Sequence, residues 1–327
     1  MTKIDILPSQ DQLEILDGLT RALEGAAVGA ADFPLIASLG FVAVSIPESL
    51  GGLGCDIADE ALLNIEHGRR VVGLEVLAST LAARLAAATG DRDLVSDIVA
   101  GRRAVGFASP VAGWDPSAPG PSGEVHLIGR GDLYLAVAPQ GGAILDPAQF
   151  SDTRTVEGMD AIAPTFRARL AGSPPSWADG DAKLWPAAVL LFAAQMAGIA
   201  AAAMNQAVEY AKIREQFGKP IGSFQAVAHQ CADAAVRADA AYHQVLIAAI
   251  ALRDHSTDAE FQVTAACLTA IDAAFRNSTS NIQVHGGMGY AVQSGAQLFL
   301  KRATVLRHLC GGVRLHERAM LAAQPPH

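Results

Sequence analysis

Two stretches of the sequence combine residue types and spacing suited to holding a phosphate-bearing ligand. Residues 214–230 read Arg-Glu-Gln-Phe-Gly-Lys-Pro-Ile-Gly-Ser-Phe-Gln-Ala-Val-Ala-His-Gln. Arg214 offers a planar fork of donors that matches a pair of phosphate oxygens, which a lysine cannot engage bidentately. Gln216 and Gln225 can donate or accept at a polar edge, and Phe217 can pack on a flat ring. The second stretch is Gln283-Val-His-Gly-Gly-Met-Gly-Tyr290. There Gly286, Gly287 and Gly289 fall where a helix gives way to a turn, so backbone N–H groups can approach a nucleotide without a Cβ in the way. A plainer reading of the same residues is a solvated arginine at a helix end, a packed phenylalanine, two surface amides and a glycine-ended helix.

Other chemistry finds less support. Cys55, Cys231, Cys267 and Cys310 are scattered without a Cys-x-x-Cys spacing, so neither a zinc site nor a disulfide framework is expected and all four read as reduced thiols. His308 and His316 are helically related, but no ligand set is recognised beside them, and no metal is expected. With a net charge of −9, the chain advertises no basic patch for nucleic acid or an anionic membrane surface. The start, Met-Thr-Lys-Ile-Asp, lacks the apolar core of a signal peptide, and the expected address is cytoplasmic.

The first motif must be positioned by the segments that flank it. No charged residue occurs from Trp185 to Val208, and Val227, Cys231, Ala234, Ala238, Tyr242, Val245 and Ala249 recur at helical spacing. Both flanks read as helices, the first running to about Phe217 and the second from Phe224 to about Leu252. Gly218, Pro220 and Gly222 punctuate the join, and Ser223 is a suitable N-cap, so a tight αα-hairpin is expected with Arg214, Gln216, Phe217 and Gln225 at its corner. The charge-free segment is long enough to span a bilayer. Its Ala and Gly content and the lack of flanking Lys/Arg clusters favour a buried helix instead.

Elsewhere, Ser9-Gln-Asp-Gln12 is a capping-box pattern that starts a helix near Gln10, ending by Gly25. Further helices are expected at Phe33 to Leu39, Ile57 to Val72, Leu74 to Ala88 and Arg92 to Ala100. From Arg103 to Pro175 the sequence turns to Gly/Pro punctuation and short β-type runs: 104–107, 125–128, 133–137, 143–145 and 165–170. Helices resume after Asp181, with Pro186 in a first turn. A capping box at Thr257 to Glu260 announces a helix from Asp258 to about Asn281, and one or two more run from Gln293 to about Ala323. The expected organisation is an N-terminal helical domain (1–102), a shortened middle β domain (103–177) and a C-terminal four-helix bundle (178–327). With 327 residues, 51% of them hydrophobic, there is ample core to support it.

The corner resembles the flavin-contacting turn of the acyl-CoA dehydrogenase family, which carries Arg-x-x-Phe-Gly followed across a short Pro/Gly link by Phe-Gln or His-Gln. The stretch from Gln283 to Tyr290 is similar to a second motif of that family, and Ile46-Pro-Glu-Ser-Leu-Gly-Gly-Leu-Gly54 resembles a loop of its N-terminal domain. The resemblance implies a mainly α fold with a small β domain and FAD as cofactor. It also implies FAD-contacting roles for Arg214, Gln216, Phe217, Gln225, Gln283, Val284, His285, Gly286 and Gly287. In the family these motifs reach FAD seated mainly in a neighbouring subunit.

The family's catalytic carboxylate is missing at both of its usual registers. One register falls on Cys310-Gly-Gly312 and the other on Ala188. The family's Thr and Gln contacts after the first register are replaced by Gly312 and Arg314, and its Thr-Glu-Pro loop by Ala108-Ser-Pro110, followed by the Pro-rich run from Trp114 to Pro121. Features that act on a neighbour's FAD persist, while those acting on the chain's own FAD and substrate are lost. This pattern resembles the short subunits of bacterial heterotetrameric acyl-CoA dehydrogenases that act on steroid-derived CoA thioesters. It implies an α2β2 assembly with a complete acyl-CoA dehydrogenase subunit, an acyl-CoA substrate and an electron-acceptor protein. Two rival readings are a homomeric dehydrogenase using a displaced carboxylate such as Glu209 or Asp179, and a non-enzymatic helical interaction protein.

Overall fold

The computed structural model describes residues 7–24, 27–111, 121–171, 177–178 and 183–323. Its helices are α1 (Gln10–Ala22), α2 (Phe33–Ser38), α3 (Ile57–Arg70), α4 (Leu74–Thr89) and α5 (Arg92–Val99) before the sheet, and α6 (Leu184–Ile213), α7 (Gln225–Arg253), α8 (Ala259–His285), α9 (Ala296–Leu309) and α10 (Val313–Ala322) after it. Between them lie β1 (Val105–Pro110), β2 (Glu124–Ile128), β3 (Leu133–Ala138), β4 (Gly141–Leu145), β5 (Phe150–Val156) and β6 (Thr165–Leu170). The expectation of a mainly α chain with a small β sheet is met. Most of the Pro-rich run from Trp114, and Asp179, lie outside the described residues.

The chain divides into two compact units. One comprises Met1–Arg21, Ala61–Val71 and Leu190–His327; the other comprises Ala22–Glu60 and Val72–Val189. Thus the expected C-terminal segment supplies the helical body of the first unit, the sheet lies in the second, and the first hundred residues are shared between them.

In the sheet-bearing unit the strand order is β4-β3-β1-β2-β6-β5, antiparallel except for β1 beside β3. Alternate residues Val125 and Leu127, Tyr134 and Ala136, and Ala168 and Leu170 line one face, where Phe150, Phe166 and Trp177 pack on them. Helix α4 is tied to the sheet by Ser79, whose hydroxyl accepts from the Val105 N–H at 2.9 Å. All the expected β runs are strands, and β5 is an additional one. Its Ser-Asp-Thr-Arg-Thr sequence is polar because β5 is an exposed edge, so it lacks the apolar alternation that marks a half-buried strand.

In the helical unit, α6 is the central element, and its most apolar window is 83% buried. By length and composition α6 and α7 are each apolar enough to cross a membrane; α6, buried to this extent inside its own protein, is a core helix, whereas the corresponding window of α7 is 39% buried. Glycines set the crossing of α6 with α3. A Cβ on Gly68 would strike the Gln195 carbonyl, and one on Gly198 the Ile65 carbonyl, so the two backbones approach closely. At the same crossing Gln195 donates to Asn64 Oδ1 at 3.1 Å. Further along, buried Asn277 of α8 donates to the carbonyls of Ala200 on α6 (3.0 Å) and Ala234 on α7 (2.8 Å), and accepts from Arg237 Nε (2.8 Å). One satisfied amide therefore joins three helices. Such a residue specifies register, because any shift would leave buried polar atoms unpaired.

The capping-box pattern at Ser9 is realised: the Ser9 N–H donates to Gln12 Oε1 and the Gln12 N–H to Ser9 Oγ. Two other caps differ from expectation. Helix α7 starts at Gln225, two residues after Ser223, with Phe224 at the N-cap, and the Ser223 hydroxyl instead donates to the Pro220 carbonyl at 2.7 Å. Helix α8 has Asp258 at its N-cap without a side-chain bond to the backbone; that carboxylate accepts from Gln262 Nε2 at 2.8 Å.

Candidate functional site: the corner between α6 and α7

Helix α6 ends at Ile213, four residues before the expected Phe217, because a two-residue hairpin takes over. Strands β7 (Glu215–Gln216) and β8 (Lys219–Pro220) pair as Glu215 with Pro220 and Gln216 with Lys219. Their connecting residues, Phe217 and Gly218, have φ of 54° and 79°. Positive φ at both central positions is the signature of a type I′ turn, whose twist suits a tight hairpin. Glycine accepts this backbone freely, whereas phenylalanine is strained in it. The strained residue is also 93% exposed. Its ring stands edge-on to Phe224 at 6.2 Å, and Lys219 Nζ lies 4.4 Å over the Phe224 ring. The turn therefore holds a bare aromatic ring out from the body of the unit.

Arg214 and Gln225 are likewise exposed, at either end of the hairpin link. Among the described residues the Arg214 guanidinium has no hydrogen-bonding or ion-pair partner. Its backbone is fixed, with the N–H donating to the Tyr210 carbonyl (2.9 Å) and the carbonyl accepting from the Ile221 N–H (2.8 Å). Gln216 is exposed too, and its amide donates to the Glu215 carbonyl at 2.7 Å.

The second motif packs against the same end of α6. Val284 lies in a cluster with Ala207 and Ala211 of α6, onto which Tyr210, Ile221 and Val227 also pack. The His285 ring stacks on Tyr210, centroids 4.1 Å apart, and its Nδ1–H donates to the Asn281 carbonyl at 2.8 Å. Val284 and His285 thus point inward and anchor the motif, whereas Gln283, Gly286 and Gly287 face solvent. Gly286 has φ 58° and ψ −137°, a conformation open to glycine alone. A Cβ on Gly289 would strike the Ile282 carbonyl, so that glycine serves the turn itself. A Cβ on Gly287 would meet nothing within 4 Å, which leaves its backbone open to a ligand.

Two residues of the corner went unremarked in the sequence. Tyr210, on α6, lies four residues before Arg214, a helical spacing that is the one sequence signal for it. Phe224 was visible inside the motif but was passed over for Gln225.

As a binding surface the corner supplies one guanidinium, three amides, an exposed ring and open glycine backbone. This donor set suits a pyrophosphate joined to flat heterocycles, so these residues fit FAD. The adjoining groove, about 370 Å³ and lined by residues including Val208, Ala211, Gly222 and Cys231, is open and does not enclose a dinucleotide.

Neither register for the base carries a carboxylate on the surface. Ala188 is fully buried, and Cys310 is fully buried with its Sγ donating to the Arg307 carbonyl at 3.2 Å. Glu209 is exposed and paired with Lys212 at 2.7 Å. The reading that His316 has no cysteine ligand near it is corrected: ligand atoms of Cys267, Cys310 and His316 all lie within 4.8 Å of one another, and all three residues are buried. Residues 267 and 310 are too far apart in sequence for any local spacing to announce them.

Comparison with known proteins places this geometry. Residues 189–324 match the sequence profile described as Acyl-CoA dehydrogenase, C-terminal domain. The chain is 34% identical over 273 residues to the acyl-CoA dehydrogenase IpdE2 of Mycobacterium tuberculosis, an alignment covering 82% of this chain and 78% of that protein. It is 35% identical over 293 residues to acyl-CoA dehydrogenase FadE34 of the same organism; there it covers 86% of this chain but spans only 40% of the relative's length. Among solved structures, the ChsE4-ChsE5 complex from Mycobacterium tuberculosis matches with a TM-score of 0.80 at 21% identity, covering 99% of this chain and 100% of that one. Butyryl-CoA dehydrogenase from Megasphaera elsdenii matches with a TM-score of 0.79 at 21% identity, over 98% and 99% of the two chains. At these identities the structural matches speak to the fold.

Proposed function

Because the chain belongs to the acyl-CoA dehydrogenase family, we propose that it is the base-deficient subunit of a heteromeric, FAD-dependent acyl-CoA dehydrogenase, completing an FAD site whose catalytic carboxylate belongs to a partner subunit. The observation that carries this reading is the combination of an outward-facing wall of FAD-suited groups with a buried cysteine where the base would stand. When bound, FAD would accept the β-hydride of an acyl-CoA thioester as the α-proton leaves. This chain's share is positional. Arg214 would hold pyrophosphate oxygens with its fork, Phe217 would cover a ring face, Gln216, Gln225 and Gln283 would engage polar edges, and the Gly286-Gly287 backbone would offer its open N–H groups to the nucleotide. Val284 and His285 act here by anchoring the motif that presents Gln283 and the glycines. The proton would go to a carboxylate of the partner subunit, and an electron-acceptor protein is the further partner that this reading requires.

Exposed apolar residues support an assembly. Ile213 at the end of α6, Phe217 in the hairpin, and Met288, Tyr290 and Val292 beyond α8, are large hydrophobic side chains left in solvent around the same corner; Tyr290 is 78% exposed. A patch of this kind marks a protein interface more often than a free surface. Solved neighbours include a two-protein complex, ChsE4-ChsE5, and a protein described as the steroid ACAD Tcur3481-Tcur3483. Those likenesses lead us to propose an α2β2 assembly acting in the cytoplasm on a bulky, steroid-derived acyl-CoA.

The test is to purify the chain alone and co-expressed with a dehydrogenase subunit encoded beside it, then to measure bound flavin and acyl-CoA-dependent turnover. The proposal expects both only in the pair. Robust turnover by the chain alone would overturn it in favour of a homomeric enzyme. A pair that never acquires flavin would point instead to a non-enzymatic interaction protein.

A further inference from the structure

Away from the corner, α8, α9 and α10 meet around a cluster that the dehydrogenation chemistry does not use. Cys267 sits in the first third of α8, Cys310 caps the C-terminus of α9, and His316 lies in the first half of α10. Cys267 and Cys310 are completely buried and His316 is 2% exposed. Each offers one ligand atom, and these atoms lie within 4.8 Å of one another. Gly311 and Gly312, with φ of 86° and 77°, form the turn that brings α10 back over Cys310. Across it, His316 Nε2 donates to the Cys310 carbonyl at 2.8 Å. That bond requires the proton on Nε2 and leaves the lone pair on Nδ1. A ring nitrogen bonded to a backbone carbonyl is the usual orienting contact of a metal-binding histidine.

We propose that Cys267, Cys310 and His316 form a buried site for a thiophilic d10 cation, Zn(II) or Cu(I), which pins α8, α9 and α10 together. Two thiolates and an imidazole are soft to borderline ligands that select these ions over magnesium or calcium. With Zn(II), two thiolates give a core of zero net charge, which suits a dry interior. Binding would displace both thiol protons to solvent and form the metal–sulfur bonds without any change in oxidation state.

A buried site must be filled as the chain folds. The full-length chain, without a histidine tag and with whatever subunit co-purifies, is therefore produced under reducing conditions in medium supplemented with Zn(II), Cu(I) or Co(II). Native mass spectrometry should find one tightly held Zn(II) or Cu(I) per chain, and the Co(II) form should show a thiolate-to-cobalt charge-transfer band. Cys267→Ala, Cys310→Ser and His316→Gln, each checked for folding by circular dichroism, should bring the stoichiometry close to zero or abolish the band. Folded wild-type chain that takes up no ion overturns the proposal, as does uptake that survives all three substitutions. So does a chain that stays metal-free and, on mild peroxide treatment, joins Cys267 to Cys310 in a disulfide, since the cluster would then be a redox pair.

Discussion

Replacing Phe217 with glycine separates what this residue costs the chain from what it does for the site. Its φ of 54° places a bulky side chain in left-handed space, at a cost of about 1–2 kcal/mol. Glycine removes that cost but gives the unfolded chain extra freedom worth about 0.4–1 kcal/mol. Alanine keeps the backbone penalty. Because the ring is 93% exposed, neither variant loses much packing in the free chain beyond the edge contact with Phe224. Denaturant melts should therefore find Phe217→Gly more stable than Phe217→Ala by about 1 kcal/mol. In the assembled enzyme the ordering should not matter, since both variants lack the ring. Burying a phenylalanine is worth about 1.5–3 kcal/mol, so both should release flavin roughly 10- to 200-fold more readily, read as the midpoint of FAD dissociation from the complex. Two results would refute the reasoning: a glycine variant no more stable than the alanine one, or flavin retention indifferent to loss of the ring.

Further expectations concern the arginine, the assembly and acid stability. Arg214→Lys should fold and assemble but lose FAD affinity by about 1.5–3 kcal/mol, because a point charge cannot replace the fork; unchanged retention on dialysis would leave Arg214 as a helix-end cation. Alone the chain should self-associate through its exposed apolar corner, and with its partner light scattering and flavin absorbance should give α2β2 with two FAD; a stable monomer or four FAD would contradict the half-site. His67 is buried with both ring nitrogens unpartnered among the described residues, and burial lowers its pKa from 6.5 to about 4. A depressed value means the unfolded chain takes up the proton first, so stability is full above about pH 6.5 and falls as the pH drops toward 4. Between pH 7 and pH 5 this loss is on the order of 2 kcal/mol. Urea midpoints for wild type and His67→Leu should diverge over that interval, and parallel curves would mean that His67 binds its proton equally well in the folded and unfolded chain.

Much of the architecture was legible in one dimension because it is encoded locally. Helical periodicity, the capping box at Ser9 and the Gly/Pro-punctuated β runs each depend on neighbours within a turn or two, and those elements stand where the spacing put them. The polar edge strand β5 was missed for the complementary reason: its neighbours are solvent and one other strand, so nothing in its own pattern marks it. Ser223 and the Thr257–Glu260 pattern show the limit of local rules, since the hydroxyl found Pro220 and Asp258 found Gln262 instead of the helix ends.

The sequence by itself determined the family, the residue types of the α6–α7 corner and the lack of a carboxylate at Cys310 and Ala188, because each of these is a matter of identity at a given position. Orientation was decided by tertiary structure alone. Only packing against Ala207, Ala211 and Tyr210 turns Val284 and His285 inward and leaves Gln283 and Gly287 facing out. Only the hairpin holds Phe217 in solvent at the cost of backbone strain. And only the return of α10 over α8 and α9 brings His316 and two cysteines from separate helices to one buried point, since chain distance says nothing about which helix faces will meet.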